Sequence, residues 1–319
     1  MHPDSFRLED FPRASRHAFE FQFTAGGQEI GFSVLMVRGS EDGPLLLVSA
    51  GVHGDEYEGV RAILEIFAEI SPANMKGDFV AVPALNTPAV WNCTRTSPLD
   101  GANLARVFPG RADGSPTEAI AWYFDQTLLP LADLYADLHS AGVACEMPLL
   151  VGYDATDARS RDAAFAFGAP VIWAHPNVPP GRTVSAARAR NVPSIYTEAR
   201  GAGRIHPDDL SIYKQGLRNL LAHMGIISEA PRTAPSPLHL WGDGDIDQSI
   251  LASHRGFLIP HTSILDAVEK GQKLGDLVDL TGNVLETYTA PASGRVVLIH
   301  ACPRVLPGEP VFLLAGVHP

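Results

Sequence analysis

Hydrophobic and polar positions follow two different periods along this chain, and the strongest pattern lies between residues 45 and 70. Residues 45–48 form an unbroken apolar run, which is typical of a strand buried in a parallel sheet. Apolar side chains then recur at helical spacing, in Val60, Ile63, Leu64 and Phe67. A glycine-bounded turn separates the two patterns. We therefore expect this turn at the carboxyl end of a strand, where open α/β sheets bind their ligands.

Similar patterns predict the remaining elements. The predicted strands cover residues 17–23 and 30–37 as a hairpin, then 79–84, 134–138, 148–153, 170–173 and 194–197. The predicted helices cover residues 117–131, with Thr117 as the cap, and residues 206–224. Because strands alternate with helices over about 225 residues, we expect an α/β fold with a mixed, mostly parallel sheet flanked by helices.

The pattern changes after a proline cluster formed by Pro231, Pro235 and Pro237, which is typical of a linker. Short apolar segments separated by Gly, Asp and Pro follow, and none of them predicts a convincing helix. We therefore predict two domains, a larger one over residues 1–231 and a smaller, all-β, barrel-like one over residues 232–319.

Composition narrows the class of partner. The net charge of −12, without any run of lysine and arginine, argues against nucleic acid or an anionic membrane as the main partner. Three cysteines without CxxC spacing indicate free thiols in a reducing compartment. The first 16 residues lack the apolar core of a signal peptide, and no apolar run approaches the roughly 20 residues of a membrane span. We expect a cytoplasmic protein.

Several side chains with metal-binding chemistry lie at predicted strand ends. His53 and Glu56 are three residues apart in the turn after residue 50, and His139 follows the strand at 134–138. Two imidazoles and one carboxylate are ligands that catalytic zinc prefers, with one coordination position left open. Asp137 lies on the same side of its strand as His139 and could hold the second imidazole nitrogen. Glu198, at another strand end, is a candidate general base.

Each of these residues also has an ordinary structural interpretation. The chain contains 12 histidines, and a lone histidine is more often structural than a ligand. Glu56 could simply favour a helix N-terminus. Arg95 and Arg106 could be solvated loop residues, or guanidinium forks for a substrate carboxylate. The combination of strand-end residues is what favours the zinc site over these alternatives.

Five short segments form an ordered set along the chain. They are GVHGDE at 51–56, NTPA at 86–89, DGANLARVFPG at 100–110, DLH at 137–139 and TE at 197–198. This set resembles the succinylglutamate desuccinylase/aspartoacylase family, relatives of the zinc carboxypeptidases. The resemblance implies a carboxypeptidase-like fold, with residues 1–231 as the zinc-dependent catalytic domain.

The same resemblance implies one Zn²⁺ per chain on His53, Glu56 and His139, and hydrolysis of an N-acyl amino acid. Glu198 would move the proton and Arg95 would polarise the scissile carbonyl. Arg106 would bind a substrate carboxylate, and we place Asn103 beside it as a second substrate-binding residue. Ala105 stands where the family has an asparagine. This departure favours the subgroup that includes N-acetyl-diaminobutyrate deacetylases.

Residues 268–309 resemble a biotinyl/lipoyl-like barrel, but Asn283 occupies the place of the attachment lysine. We therefore expect no attached cofactor there. We expect the C-terminal region either to limit access to the zinc site or to contact another copy of the chain in a homo-oligomer.

Two other functions use the same residues. One is a metallocarboxypeptidase that acts on peptides, and the other is a catalytically silent relative that binds a metal or a ligand. A serine hydrolase or a nucleotide enzyme is disfavoured, because the chain has neither a GxSxG nor a GxxxxGK[ST] motif.

Overall fold

The computed structural model describes residues 1–232 and 236–317. Within these residues the strands are β1 Ser15–Ala25, β2 Gln28–Arg38, β3 Glu41–Ala50, β4 Lys76–Val82, β5 Leu134–Ser140, β6 Cys145–Glu146, β7 Leu150–Asp154, β8 Val171–His175, β9 Ser194–Ala199, β10 Leu238–Trp241, β11 Ile250–Leu251, β12 Gly256–Pro260, β13 Ala267–Val268, β14 Lys273–Val278, β15 Val284–Thr289, β16 Gly294–His300, β17 Arg304–Val305 and β18 Pro310–Val317. The α-helices are α1 Glu58–Glu69, α2 Thr87–Asn92, α3 Pro116–Tyr123, α4 Ala158–Phe167, α5 Thr183–Ala189 and α6 Pro207–His223.

A large mixed sheet runs through the molecule in the order β1-β2-β4-β3-β5-β9-β7-β8-β10-β18-β16-β13. The predicted hairpin is present, since β1 pairs antiparallel with β2. Strand β3 is parallel to both β4 and β5, and β5 is parallel to β9. The expected α/β class with a mixed sheet flanked by helices is therefore confirmed.

Strand β3 is buried on both faces, as its unbroken apolar run predicts. Leu46 and Val48 pack in one core layer with α1, α4 and α6, whereas Leu45 and Leu47 pack in the other with α3 and α5. Alternate side chains of a strand point to opposite faces, so one four-residue run supplies both layers. The carboxyl end of β3 is thereby held rigidly in the centre of the sheet.

Helix α3 differs from its predicted bounds. It begins at Pro116 behind Ser115, whose hydroxyl accepts from the Glu118 backbone N–H while the Glu118 side chain accepts from the Ser115 backbone N–H. Ser115 and not Thr117 is therefore the cap, because this reciprocal capping box satisfies two N–H groups that the helix leaves free. The α-helix ends at Tyr123, and the rest of the predicted helix to residue 131 is a π-turn followed by a 3-10 turn.

The C-terminal region contributes strands to two sheets. Strand β10 joins the large sheet by pairing parallel to β8, and β18 pairs antiparallel to β10. A separate antiparallel sheet has the order β15-β14-β12-β17. Pro235, in the predicted linker, lies outside the described residues. None of the helices in residues 1–232 and 236–317 combines the length and apolarity that a membrane crossing requires.

Candidate metal centre and active site

Three neighbouring segments bring the sequence-predicted residues together. His53 and Glu56 lie between β3 and α1, so Glu56 precedes the helix by two residues and does not belong to its first turn. His139 is the penultimate residue of β5, and Glu198 is the penultimate residue of β9. Because β5 and β9 are parallel, His139 and Glu198 are direct partners across the two strands.

The carboxylate of Glu56 lies between two imidazoles. His53 Nδ1 is 2.7 Å from Oε1, and His139 Nδ1 is 2.9 Å from Oε2. All three residues are buried, and one ligand atom from each lies within 4.8 Å of the others. The three side chains could therefore hold a single metal ion.

The other nitrogen of each imidazole faces an oxygen acceptor. His139 Nε2 lies 2.9 Å from Asp137 Oδ2, and His53 Nε2 lies 3.2 Å from Asn103 Oδ1. Asp137 is held in turn by Ser49, whose hydroxyl donates to its Oδ1 over 2.6 Å. The structure thus places Asp137 where the sequence predicts it, and it places Asn103 against a candidate ligand. An Nε2–H bond to Asp137 or Asn103 leaves Nδ1 of each ring facing Glu56.

Burial and charge set the protonation of these groups. Burial, together with the nearby Arg95 guanidinium, lowers the pKa of His53 to about 4. Burial alone would raise the pKa of Glu56, but the two imidazoles outweigh it and hold the pKa well below its usual value. Burial alone would lower the pKa of His139, but the Asp137 and Glu56 carboxylates outweigh it and raise the pKa well above 6.5. A bound cation would compete with the proton of His139, because metal ligands bind in their deprotonated form.

Glu198 has a different environment in the same cavity. Burial, and next the negative charge of Glu56, raise its pKa well above 4.5. Its Oε2 is buried and has no hydrogen-bond partner among the described residues. A carboxyl group of this kind can hold or accept a proton near neutral pH, which is what acid–base catalysis requires.

The two arginines singled out in the sequence both line the cavity, with different partners. Arg95 Nη1 donates to Glu56 Oε1 over 3.2 Å, which places its guanidinium directly beside the three candidate ligands. Arg106 donates from Nε to Asp247 Oδ2 over 3.1 Å and from Nη1 to the carbonyl of Ala105 over 3.0 Å.

The family model of the succinylglutamate desuccinylase/aspartoacylase catalytic domain matches residues 42–224, which include the whole cluster. The chain belongs to this family.

Individual relatives match this chain over almost their full length. A relative named N-alpha-acetyl-L-2,4-diaminobutyric acid deacetylase, from Halomonas elongata, is 31% identical, and the match covers 92% of this chain and 93% of the relative. The product-bound structure of the ectoine utilization protein EutE (DoeB) from Ruegeria pomeroyi is 30% identical, with a TM-score of 0.88 and 98% of each chain covered. A succinylglutamate desuccinylase/aspartoacylase from Rhodobacter sphaeroides is 29% identical, with a TM-score of 0.86, 96% of this chain and 97% of that one covered.

In the present chain, the cavity is also lined by residues that the sequence analysis missed, among them His175 and Arg182. His175 is the last residue of β8; its Nδ1 donates to the carbonyl of Gly242 over 2.6 Å, and its Nε2 accepts from the Tyr196 hydroxyl over 2.8 Å. Its position at a strand end was a usable signal, the same one that identified His139. Arg182, Asp243 and Gly244, which also line the cavity, lie in loops, and Ile246 begins a short 3-10 helix. No local pattern in the sequence marks these residues as part of a cavity.

Proposed function

We propose that this chain is a zinc-dependent deacylase that hydrolyses the amide bond of a small N-acylated amino acid or a related amine. The observation that carries the proposal is the convergence of His53, Glu56 and His139 in the cavity that Glu198 also lines. Membership of a family whose named relatives are deacylases supports the reaction class.

The residues fit one Zn²⁺ per chain. Two imidazole nitrogens and one carboxylate oxygen form a common ligand set of catalytic zinc. If Nε2 of each ring carries the proton, both Nδ1 lone pairs face the Glu56 carboxylate at 2.7 and 2.9 Å. His53, Glu56 and His139 would together hold a cation here, and the cation would replace the proton that His139 otherwise carries. When bound, zinc supplies a Lewis acid and lowers the pKa of a coordinated water to about 7.

The chain's own residues would then act on protons and charge. Glu198, with its raised pKa and unpartnered Oε2, would take a proton at that oxygen and give it to the leaving amine. Arg95 would stabilise negative charge that develops on the carbonyl oxygen, because its guanidinium already lies beside the candidate ligands. Asp137 would keep the His139 ring in one orientation.

The substrate proposal follows the relatives. The Halomonas elongata relative is named for N-alpha-acetyl-L-2,4-diaminobutyric acid, so we propose an N-acetylated amino acid of this kind as the first substrate to assay. Asn103 remains a proposed substrate-binding residue. The sequence also predicts Arg106 for a substrate carboxylate, but Asp247 already occupies its guanidinium. We also retain the division into a catalytic domain over residues 1–231 and a β-rich domain over 232–319, and the cytoplasmic location, as proposals.

Replacing Glu198 by glutamine tests the mechanism. We expect Glu198→Gln to bind zinc like the wild type, because Glu198 is not one of the proposed ligands. Turnover should fall by about 10²- to 10⁴-fold, the usual contribution of a general acid–base residue. Amine release from N-acetyl amino acids and the zinc content of the purified protein are the two measurements.

The matched control for this substitution is Glu269→Gln, an exposed glutamate outside the cavity, which should keep wild-type turnover. Short peptides assayed beside N-acetyl amino acids separate a deacylase from a carboxypeptidase. An enzyme that stays active after its metal is chelated would contradict the proposal.

A further inference from the structure

Two arginines of the cavity are held by carboxylates from the C-terminal region. Arg182 Nη2 donates to Asp245 Oδ1 over 2.6 Å. Arg106 donates from Nε to Asp247 Oδ2 over 3.1 Å, and its Nη2 lies 3.1 Å from the same oxygen and 3.9 Å from Asp245 Oδ1. Besides Arg95, the arginines that line the cavity are Arg106 and Arg182, and both of their guanidinium groups are therefore already in ion pairs.

These carboxylates belong to an ordered loop. The Asp245 backbone N–H donates to Asp243 Oδ1 over 3.1 Å, and the Asp247 backbone N–H donates to Asp245 Oδ1 over 3.2 Å. The loop follows β10 directly, and β10 is fixed in the large sheet by its parallel pairing with β8. The positions of the carboxylates are consequently set by the same rigid sheet that carries the candidate metal ligands.

The pairing leaves little free guanidinium surface. Arg182 Nη1 is buried and has no hydrogen-bond partner among the described residues. Arg106 has its Nε and Nη2 on Asp247 and its Nη1 on the carbonyl of Ala105. Among the described residues, each nitrogen of the Arg106 guanidinium thus has a partner, whereas Nη1 of Arg182 has none.

We propose that residues 243–247, through Asp245 and Asp247, set the charge selectivity of the cavity. The loop leaves Arg182 to bind the single α-carboxylate of an N-acyl amino acid and withholds Arg106 from a second, side-chain carboxylate. The substrate class is then N-acyl amino acids with neutral or cationic side chains. This inference rests on the proposed deacylase function and adds the determinant of its substrate.

The expected selectivity arises because a substrate carboxylate and Asp247 compete for Arg106. A second substrate carboxylate must displace Asp247 from Arg106, which leaves the Asp247 charge unpaired and brings three carboxylates close together. Arg106 and Asp247 are partly exposed, at 28% and 62% of their side chains, so solvent weakens the pair. We therefore expect a discrimination of about two- to fivefold, the range of a partly screened ion pair.

An isosteric substrate pair measures this discrimination. N-acetyl-L-glutamate and N-acetyl-L-glutamine differ only in the side-chain charge, and the wild type should prefer the glutamine derivative in kcat/KM. Asp247→Asn, and more strongly the double variant Asp245→Asn with Asp247→Asn, should shift the ratio toward the glutamate derivative by about two- to fivefold. Any change at Arg182 affects both substrates alike, because both carry an α-carboxylate.

Two further variants complete the test. Adding Arg106→Gln to the double variant should abolish the shift, whereas Glu269→Gln alone should leave the wild-type ratio unchanged. Thermal melting verifies that each variant is folded. Wild-type preference for the glutamate derivative, or an unchanged ratio in the aspartate variants, overturns the inference while the deacylase function stands. If the zinc-loaded wild type hydrolyses no N-acyl amino acid, the proposed function fails and this inference fails with it.

Discussion

Asn103 has two roles open to it at the scale of single residues. The sequence predicts substrate binding, because Asn103 lies in the loop segment that carries Arg106. In the structure its Oδ1 is 3.2 Å from His53 Nε2 and also accepts from the backbone N–H of Ala105 over 2.9 Å. These contacts would orient a metal ligand, in the way that Asp137 holds His139.

Asn103→Ala separates the two roles. If Asn103 orients His53, its removal should weaken zinc binding by about 10- to 100-fold, the usual effect of removing a partner of a ligating histidine. Competition with a chromophoric chelator measures this affinity. Asn92→Ala on α2 serves as the control, because Asn92 is exposed and its side chain donates to the Pro88 carbonyl, away from the candidate ligands. Unchanged zinc affinity with a raised KM would instead support substrate binding.

Residues at the ends of strands could be predicted from the sequence, whereas the partners of loop residues could not. Glu198 and His139 each follow or end an apolar segment, and parallel strands bring such ends to one edge of the sheet. The bond between Arg182 and Asp245 joins residues 63 positions apart in two loops. Neither loop has a periodic pattern, so nothing local indicates that they meet.

Helix α1 shows how far an apolar period identifies a buried face. Ile63 is fully buried, and Val60 and Phe67 pack against the same core layer. Leu64, which fits the predicted spacing, is instead 49% exposed. Adjacent residues of similar size thus lie in opposite environments on one helix.

Ile63→Ala and Leu64→Ala form a matched pair. We expect Ile63→Ala to reduce the free energy of unfolding by about 2–5 kcal/mol, because it leaves a cavity in a packed layer. Leu64→Ala should change it by about 0.5 kcal/mol or less, as exposed positions do. Urea unfolding measures both values, and equal losses would contradict the assigned face of α1.

Asp100 fixes the loop between α2 and α3, residues 93–115, to the start of α3. Its carboxylate accepts from the backbone N–H of Thr117 over 2.9 Å and from the Thr117 hydroxyl over 2.7 Å. Burial acts to raise the pKa of Asp100, but these bonds and one from the Ala102 N–H outweigh it and lower the pKa below 3.8. A carboxyl group with a lowered pKa in the folded state stabilises the fold while it is ionised.

Asp100→Asn should therefore destabilise the fold by an amount that depends on pH. The stabilisation by Asp100 is complete above pH 3.8 and is lost as the pH falls through the lower, folded-state pKa. We expect the free energy of unfolding of the wild type to exceed that of the variant by about 1 kcal/mol at pH 7 and pH 5. This difference should narrow in the most acidic buffers in which the protein remains folded. Urea unfolding of both proteins gives the gap; Asp113→Asn, an exposed change in the same loop, should show none.

The elements that the sequence analysis missed are short or weakly amphipathic. Helix α4 is rich in alanine and charged residues, so its apolar period is faint. Its ends nevertheless carry local signals, since Asp157 caps it by accepting from the Arg159 N–H and Gly168 follows in the left-handed conformation. The parallel pairing of β10 with β8 joins segments that are far apart in the sequence. Strand β10 has only four residues, which is too few for a pattern that would identify its partner.

Metal binding should be visible in the stability of the whole molecule. A ligand that binds only the folded state adds about 2.7 kcal/mol to its stability at a concentration 100 times the dissociation constant. We expect zinc to raise the melting temperature of chelator-treated protein, as followed by calorimetry.

His139→Ala provides the control for this experiment, because it removes one of the three proposed ligands and should largely abolish the zinc-dependent rise. A rise of equal size in His139→Ala would locate the stabilising ion elsewhere in the molecule.

The pairing of β5 with β9 has a consequence for how such an enzyme diversifies. His139 and Glu198 face each other across one inter-strand spacing, roughly 4.8 Å, and a slip of either strand by one residue would turn its side chain to the opposite face of the sheet. The distance between His139 and Glu198 is thus set by the backbone pairing of β5 with β9 and does not depend on the surrounding loops. Changes to the 243–247 segment can alter which molecules enter while this interval stays constant, so new specificities can arise without rebuilding the reactive centre.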